Sequence, residues 1–261
     1  MSVRLEPFFI PDGDRFVATP STRGPWSASH QHGGPPTALC ARALERLAGD
    51  DTLPMRLTFD FLRPVPIATL AVKTEVVRAG RKVQRLRAVL LDARGEELMI
   101  ATAVALRTSS PLPAALGADE PSIPAPDISR PFTFPFFADS MGYHRAVDVR
   151  MARGEWGKGA TAAWIRSLVP LVAGEPLTPV QRTLIAADSA SGLAVVLDKS
   201  EHSWLNADLT VALHRPPEGE WIGMDGSTTA EPIGAGLTRA RLWDARGPVG
   251  VSLQTLVIEK S

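Results

Sequence analysis

The chain has 261 residues, 44% of them hydrophobic and 21% charged, and this ordinary globular composition excludes a disordered protein. Its 28 basic residues are scattered among 28 acidic ones, which argues against a nucleic-acid-binding function. No apolar run approaches the ~18 residues of a membrane span and the N-terminus has no apolar signal-peptide core, so no membrane span and a cytoplasmic location are expected.

The first predicted element is a helix over residues 37–48. Residues 33–36 (Gly-Gly-Pro-Pro) precede it, and proline fits only the first turn of a helix because it has no N–H to donate. Gly49 follows as a stop signal. Four runs of alternating or β-branched residues then predict strands at 55–61, 68–77, 84–92 and 97–106.

A proline-rich segment separates this half of the chain from the next. Residues 109–131 contain six prolines and show no hydrophobic periodicity, which is typical of a surface linker. The expected organisation is therefore an N-terminal domain at 1–108, the linker, and a C-terminal domain at 132–261.

The second half repeats the order of a helix followed by strands. Thr178-Pro179-Val180-Gln181 predicts a capping box with proline at the first helical position, and the apolar stripe of this helix continues to Ser191. Strands are predicted at 205–213, 221–230, 236–244 and 250–258.

The two halves are also related in sequence. Residues 57–95 align without gaps with residues 209–247, an offset of 152, and 11 of the 39 positions are identical, including Asp-Ala-Arg-Gly at the end of each segment. Solenoid units are only about 20 to 50 residues long, so this offset indicates a tandem duplication of one domain. A helix packed on an antiparallel sheet, present twice, predicts the α+β class.

Short motifs in both halves resemble those of one family. They are WSASHQHGGPP at 26–36, PLV at 170–172, GE at 174–175, QR at 181–182, AADS at 186–189, LN at 205–206 and HRP at 214–216. Their order and spacing are similar to the thioesterase-like superfamily of TesB-type acyl-CoA thioesterases. The resemblance implies a double hotdog: two tandem copies of a long helix, each wrapped by a curved antiparallel β-sheet.

The resemblance also implies a catalytic mechanism. In this family three polar side chains of the second copy, an Asp, a Thr and a Gln, activate a hydrolytic water. The Asp maps to Asp188 and the Gln to Gln254, whereas the Thr position is occupied by Asn206. Asparagine can still hydrogen-bond a water, but it lacks a hydroxyl. Thr210, four residues further on, is a weaker substitute.

Each of these residues also has a structural interpretation. Asp188 lies on the apolar stripe of its helix, four residues after Leu184, where a carboxylate needs partners, but it could also cap a local turn. Gln254 shares its strand face with Ser252 and Leu256, so it could be a core amide that satisfies a strand end. Asn206 is predicted to share a face with Trp204, Asp208 and Thr210, a set that a solvated strand face would also explain.

Residues before the first helix are candidates for substrate binding. Backbone N–H groups of Gly33 and Gly34 lie where a helix dipole favours negative charge, so they could stabilise an oxyanion, although the pair could also be a simple turn. His32, next to them, is assigned to the same substrate-binding group, and His30 is a further candidate base. Two histidines without a third ligand do not predict a metal. The single cysteine, Cys40, excludes an intrachain disulfide, and no motif predicts a cofactor.

The function expected from these residues is hydrolysis of an acyl thioester, acyl-CoA above all, in a tunnel between the copies. Asp188 would activate the water, with Asn206 and Gln254 holding it in line. One alternative is a hotdog enoyl-CoA hydratase or dehydratase, which a His and Asp pair facing one cavity would favour. Another is a non-catalytic acyl-CoA-binding protein, favoured if Asn206 in place of Thr has ended activity. Assembly as a homo-oligomer is left open by the sequence.

Overall fold

The computed structural model describes residues 5–109, 112–117, 122–137 and 140–260. Within these residues the chain forms fourteen strands, β1 to β14, four α-helices, α1 to α4, and a 3-10 helix at Pro20–Thr22. Among them, no helix combines the length and the hydrophobicity that crossing a membrane requires.

The two halves of the chain contribute different numbers of elements. The first half contains β1 (Phe9–Asp12), β2 (Arg15–Ala18), α1 (Gly34–Ala48), β3 (Thr52–Phe61), β4 (Thr69–Arg78), β5 (Val83–Leu91) and β6 (Glu97–Arg107). The second half contains β7 (Arg130–Phe132), α2 (Tyr143–Ala146), β8 (Val147–Arg153), β9 (Thr161–Ser167), α3 (Pro179–Ala187), α4 (Ala190–Leu193), β10 (His202–Asn206), β11 (Asp208–Leu213), β12 (Ile222–Glu231), β13 (Ala235–Asp244) and β14 (Gly247–Lys260).

All eight strand predictions are confirmed, one of them with a correction. The run predicted at 205–213 belongs to two strands, β10 and β11, which are separated at Ala207. The strands β1, β2, β7, β8 and β9 were not predicted. In the proline-rich segment, Ile123 is buried against Trp164 and Trp243, so part of this segment packs on the sheet. The domain boundaries at 108 and 132 stay a prediction.

The strands form one antiparallel sheet in which the duplication is visible. Its order is β1-β2-β4-β5-β6-β3-β11-β14-β13-β12-β9-β8-β7, with β10 added to β14, so β3 to β6 mirror β11 to β14 about the centre. At the centre Thr58 pairs with Thr210, their hydroxyl oxygens are 3.1 Å apart, and the offset of 152 relates the two residues. Equivalent residues meet only on a two-fold axis, so a local two-fold axis passes between β3 and β11.

The sequence signals that predict the start of each helix are present in the structure, whereas the second helix ends earlier than predicted. α1 begins at Gly34 with its prolines in the first turn, and Gly49 ends it with a positive φ of 82°. The predicted capping box of α3 is present: Gln181 N–H donates to Thr178 Oγ1, and Thr178 N–H donates to Gln181 Oε1. However, α3 ends after 9 residues and the 4-residue α4 follows. A long helix in each copy is therefore not confirmed, because only α1, with 15 residues, is long.

α1 and α3 pack side by side and antiparallel. A β-carbon at Gly34 would lie 2.5 Å from the carbonyl oxygen of Ile185, so only glycine permits this approach at the start of α1. At the other end of the pair, Glu45 accepts hydrogen bonds from Thr178 Oγ1 and Gln181 Nε2, both at 2.8 Å. This packing brings the N-terminus of α1 to the point where α3 ends.

An ion pair also joins the two copies. Arg42 is buried and donates two 2.6 Å hydrogen bonds to the carboxylate of Glu175, which Arg46 also contacts. The bidentate bond from Arg42 holds the pKa of Glu175 below its ordinary value of 4.5. A carboxyl group with a lowered folded-state pKa stabilises the protein above its unfolded pKa and loses that contribution as the pH falls.

We expect Glu175→Gln to lower the free energy of unfolding by about 1 to 3 kcal/mol at pH 7. Removal of one partner of a buried pair costs about 3 to 5 kcal/mol, and the 32% exposure of the Glu175 side chain reduces that figure. The difference from the parent should shrink as the pH falls below about 4.5, the unfolded-state pKa, and should be lost once the pH is below the lowered folded-state pKa. Urea unfolding at several pH values measures this difference in the free energy of unfolding. Glu201→Gln, a substitution at an exposed residue, is the control. A difference that does not change with pH would contradict the assignment.

Candidate active site

Asp188 lies at the corner between α3 and α4 and is only 5% exposed. Its Oδ1 atom accepts a 2.8 Å hydrogen bond from Asn206 Nδ2, and its Oδ2 atom lies 3.1 Å from His32 Nδ1. The carboxylate therefore contacts side chains from two other segments, one in each copy, and does not cap its own turn. These two contacts fix the orientation of the buried carboxylate, which also lines a cavity.

Gln254 lies directly behind this corner and is fully buried on β14. Its Nε2 atom donates to the Asp188 carbonyl oxygen, and its Oε1 atom accepts from the Ser191 N–H, each at 3.0 Å. Both polar atoms of the amide are therefore hydrogen-bonded to backbone groups at the junction between α3 and α4. This is the geometry of a core amide, and Gln254 is absent from the cavity lining among the described residues.

Asn206 ends β10 and points into the site, where its Oδ1 atom also accepts a 2.9 Å hydrogen bond from Ser191 Oγ. The break at Ala207 changes which side chains of the strand face inward. Trp204 is buried before the break, whereas Leu209 and Val211 are buried after it. The prediction that Asn206 and Thr210 share a face is therefore wrong, because a change of one residue in phase reverses the faces of a strand.

The N-terminus of α1 completes the site. A β-carbon at Gly33 would lie 2.8 Å from both carboxylate oxygens of Asp188, so the absence of a side chain makes room for that carboxylate. Gly33 N–H has no acceptor among the described residues, and Gly34 N–H lies 3.2 Å from His32 Nδ1. Two backbone N–H groups at the positive end of a 15-residue helix therefore lie beside Asp188.

His32 stacks flat on Tyr143, with ring centroids 3.7 Å apart and an angle of 1° between the planes. The Tyr143 hydroxyl donates to the Ile185 carbonyl oxygen at 2.7 Å and is 2.9 Å from Ser189 Oγ. Burial lowers the pKa of His32, and the charge of Asp188 opposes that effect only in part. The imidazole is therefore neutral near pH 7 and is held in one orientation.

Tyr143, Ser189 and Ser191 were not predicted as site residues. The two serines lie in and just after the AADS motif, so their closeness to Asp188 in the chain was a usable signal. Tyr143 is the only tyrosine of the chain, but its contact with His32 spans more than a hundred residues and has no local signature.

These groups open into a cavity of about 460 Å³. Residues of both copies line it, and Asp188, Asn206, His32 and Gly33 belong to its polar part. The apolar part includes six aromatic residues: Trp26, Phe61, Phe134, Phe136, Phe137 and Trp204. His30 also lines it, and in the described part of the chain no three His, Cys, Asp or Glu side chains come together as a metal site would require.

Two family models match the chain. The N-terminal domain of acyl-CoA thioesterases matches residues 22–108, and the C-terminal domain matches residues 117–258. One model thus matches each half of the chain. Among curated proteins, none matches the sequence.

Several solved structures share the fold at low sequence identity. A hot dog protein from Alicyclobacillus acidocaldarius is 18% identical with a TM-score of 0.73, and 96% of this chain and 95% of that chain are covered. The tesB protein of Mycobacterium avium subspecies paratuberculosis is 17% identical with a TM-score of 0.70 and the same coverage. The acyl-CoA thioesterase II TesB2 of Mycobacterium marinum is 18% identical with a TM-score of 0.69, covering 88% and 89%. The fold is a hotdog fold with a large antiparallel sheet.

Proposed function

The chain belongs to the acyl-CoA thioesterase family and is a thioester hydrolase, and we propose that it hydrolyses acyl-CoA in the cavity between its two copies, with Asp188 as the general base. The observation that carries this assignment is the Asp188 carboxylate, held between Asn206 and His32 and beside the N-terminus of α1. In this assignment each copy is one hotdog, with α1 as the central helix of the first and α3 with α4 in that role in the second.

Asp188 would take a proton from the water that attacks the thioester carbonyl. A carboxylate positioned within hydrogen-bond reach of the water contributes typically about 100-fold to 10,000-fold to the rate. Asn206 orients this carboxylate by donating a hydrogen bond from Nδ2 to Asp188 Oδ1, and it also lines the cavity, so it can contact the same water. Gln254 does not line the cavity, and we assign it as a positioning residue that holds the backbone on both sides of Asp188.

The N–H groups of Gly33 and Gly34 would stabilise the oxyanion. Two groups compete for His32 Nδ1: the Asp188 carboxylate at 3.1 Å and Gly34 N–H at 3.2 Å. A neutral imidazole with its proton on Nδ1 donates to the carboxylate in a charge-assisted hydrogen bond, the stronger of the two. That tautomer frees Gly34 N–H for the substrate, next to the unpaired Gly33 N–H, and the helix dipole adds to both.

A panel of acyl-CoA esters assayed for thiol release tests this proposal. We expect release of free CoA from at least one ester, at a rate that depends on Asp188. If the protein releases no thiol from any acyl-CoA, the proposed hydrolysis is wrong for this chain.

Gly33→Ala should lower kcat/KM by about 100-fold while the protein stays folded. The added β-carbon would lie 2.8 Å from both carboxylate oxygens, so the flexible Asp188 side chain must move, and a misplacement of about 1 Å in an active site can cost that factor. Hydrolysis and thermal unfolding are measured together. Gly117→Ala, where nothing lies within 4 Å of the new β-carbon, is the control. Full activity of Gly33→Ala would show that this contact does not position the base.

Hydration of an enoyl thioester is the second candidate, since His32 and Asp188 form a pair that faces the cavity. Hydration needs a base for the water and an acid for the neighbouring carbon atom. His32 directs Nδ1 at Asp188, which suits an orienting partner better than a second, independent acid. We expect the enoyl-thioester absorbance of but-2-enoyl-CoA to fall only as far as thiol is released, because hydrolysis removes the thioester that is conjugated with the double bond. Loss of that absorbance without thiol release would establish hydration instead.

A further inference from the structure

Aromatic side chains are concentrated on the wall of the active-site cavity. The chain has nine phenylalanines and six tryptophans, and four of the phenylalanines and two of the tryptophans line this one cavity. Aromatic side chains attract other aromatic groups beyond the apolar area that they bury, so this concentration favours a ligand that contains an aromatic ring.

Three of these rings form a cage. Trp26 and Phe136 are nearly parallel, with centroids 6.3 Å apart and an angle of 14° between the planes. Trp204 meets Trp26 edge to face at 5.4 Å and 78°. The three rings contact one another in the two geometries in which aromatic groups attract, stacked and edge to face, and all three line the cavity.

The wall at Phe136 is rigidly supported. Trp156 stacks behind Phe136 at 5.9 Å, and its Nε1 atom donates a 2.9 Å hydrogen bond to the Gly192 carbonyl oxygen. A β-carbon at Gly192 would lie 3.2 Å from Phe136 Cζ, so the ring packs directly on the backbone of α4. Movement of Phe136 would therefore disturb both Trp156 and α4.

Exposure divides the lining residues into two groups. Phe134, Phe136 and Trp204 are 4%, 8% and 3% exposed, whereas Trp26 and Leu62 are 42% and 48% exposed. The CoA portion is long and charged and has to reach solvent, so it passes the exposed lining residues. The acyl group then lies against the buried rings, with Trp26 on their solvent side.

We propose that the preferred acyl group is a compact aromatic one, an arylacetyl or aroyl group, bound in the cage of Trp26, Phe136 and Trp204. This inference rests on the proposed hydrolysis at Asp188. The cavity of about 460 Å³ lies at the lower end of the usual ~300 to 1,000 Å³ for ligand pockets, and it must also hold the thioester. Each ring contact favours an aromatic group over an aliphatic one of equal area by about 2-fold to 10-fold.

Three esters whose acyl groups have the same number of carbon atoms test the proposal: phenylacetyl-CoA, cyclohexylacetyl-CoA and octanoyl-CoA. We expect the highest kcat/KM for phenylacetyl-CoA, by about 2-fold to 10-fold over the cyclohexyl ester, which has the ring without the π-system. The rise in unfolding temperature that each ester causes reports binding separately from hydrolysis. If octanoyl-CoA is hydrolysed as well as or better than phenylacetyl-CoA, the cage proposal is wrong and the proposed hydrolysis stands. Phenylacetyl-CoA binding that is tighter than octanoyl-CoA binding, without thiol release, supports the cage and overturns the hydrolase.

Variants at Trp26 test whether this ring causes the preference for an aromatic acyl group. Trp26 is 42% exposed, so its replacement should leave the protein folded. Trp26→Leu should lower the ratio of kcat/KM for phenylacetyl-CoA to that for octanoyl-CoA by about 2-fold to 10-fold, and Trp26→Phe should keep that ratio. Trp221→Leu removes a tryptophan that packs on Arg150 and Arg166 outside the cavity, and serves as the control. An equal loss for all three esters in Trp26→Leu would mean that Trp26 only supports the fold.

Discussion

Asp188→Asn is expected to lower kcat for acyl-CoA hydrolysis by about 100-fold to 10,000-fold, the usual effect of losing a general base. The substitution keeps the size and shape of the side chain and removes its ability to take a proton. Asn206 Nδ2 can still donate to the remaining amide oxygen, so the corner between α3 and α4 should keep its structure. Thiol release at saturating substrate measures the effect.

Thermal unfolding of the same variant separates chemistry from folding. Asp225→Asn makes the same change on β12 outside the cavity and should hydrolyse at the parental rate. An Asp188→Asn protein as active as the parent would remove Asp188 from the mechanism. An inactive protein with a large fall in unfolding temperature would instead assign Asp188 a structural role.

The duplicated core of the fold could be predicted because its signals are local. Period-two burial on β14 places Ser252, Gln254 and Leu256 on one buried face, as their spacing predicts. The capping box of α3 and the glycine after α1 are equally short-range signals. The strands β7 to β9 were not predicted, since they pack at the far edge of the sheet and lie outside the 39 aligned positions of the repeat.

The site was predictable only in part, for a different reason. Asp188 and Asn206 could be located from short motifs, and the structure places them in contact. The partners of Gln254 could not be inferred, because they are backbone groups exposed only where α3 breaks. The stacking of His32 on Tyr143 likewise depends on where two distant segments meet in the folded chain.

The duplication also explains why one end of the helix pair is suited to chemistry and the other is not. The offset of 152 relates Asn206 and Gln254 to Pro54 and Thr102, neither of which offers an amide side chain. At the opposite end of the helix pair, the Glu45 carboxylate lies at the N-terminus of α3 but is bonded to Thr178 and Gln181. Burial raises the pKa of Glu45. The first copy thus supplies the N-terminus of α1 and His32, and the second supplies the base.

Asn206→Leu is expected to reduce hydrolysis by about 100-fold to 1,000-fold, the range found when one preorganised hydrogen-bond donor to a developing charge is removed. Leucine fills a similar volume but takes away the 2.8 Å bond to Asp188 Oδ1 and the acceptor for Ser191 Oγ. Asn206→Thr restores the residue that the family resemblance places here, and it should retain or increase the rate because a hydroxyl can still donate to the carboxylate.

Comparison of these two variants with the parent decides between an enzyme and an acyl-binding protein. Each is assayed for thiol release and for the rise in unfolding temperature that an acyl-CoA causes. If Asn206→Leu hydrolyses every ester at the parental rate, the position of the attacking water does not depend on this side chain. If neither the parent nor Asn206→Thr hydrolyses any ester while acyl-CoA still raises the unfolding temperature, acyl-CoA binding without catalysis becomes the better account, because a ligand that binds only the native state stabilises it whether or not it reacts.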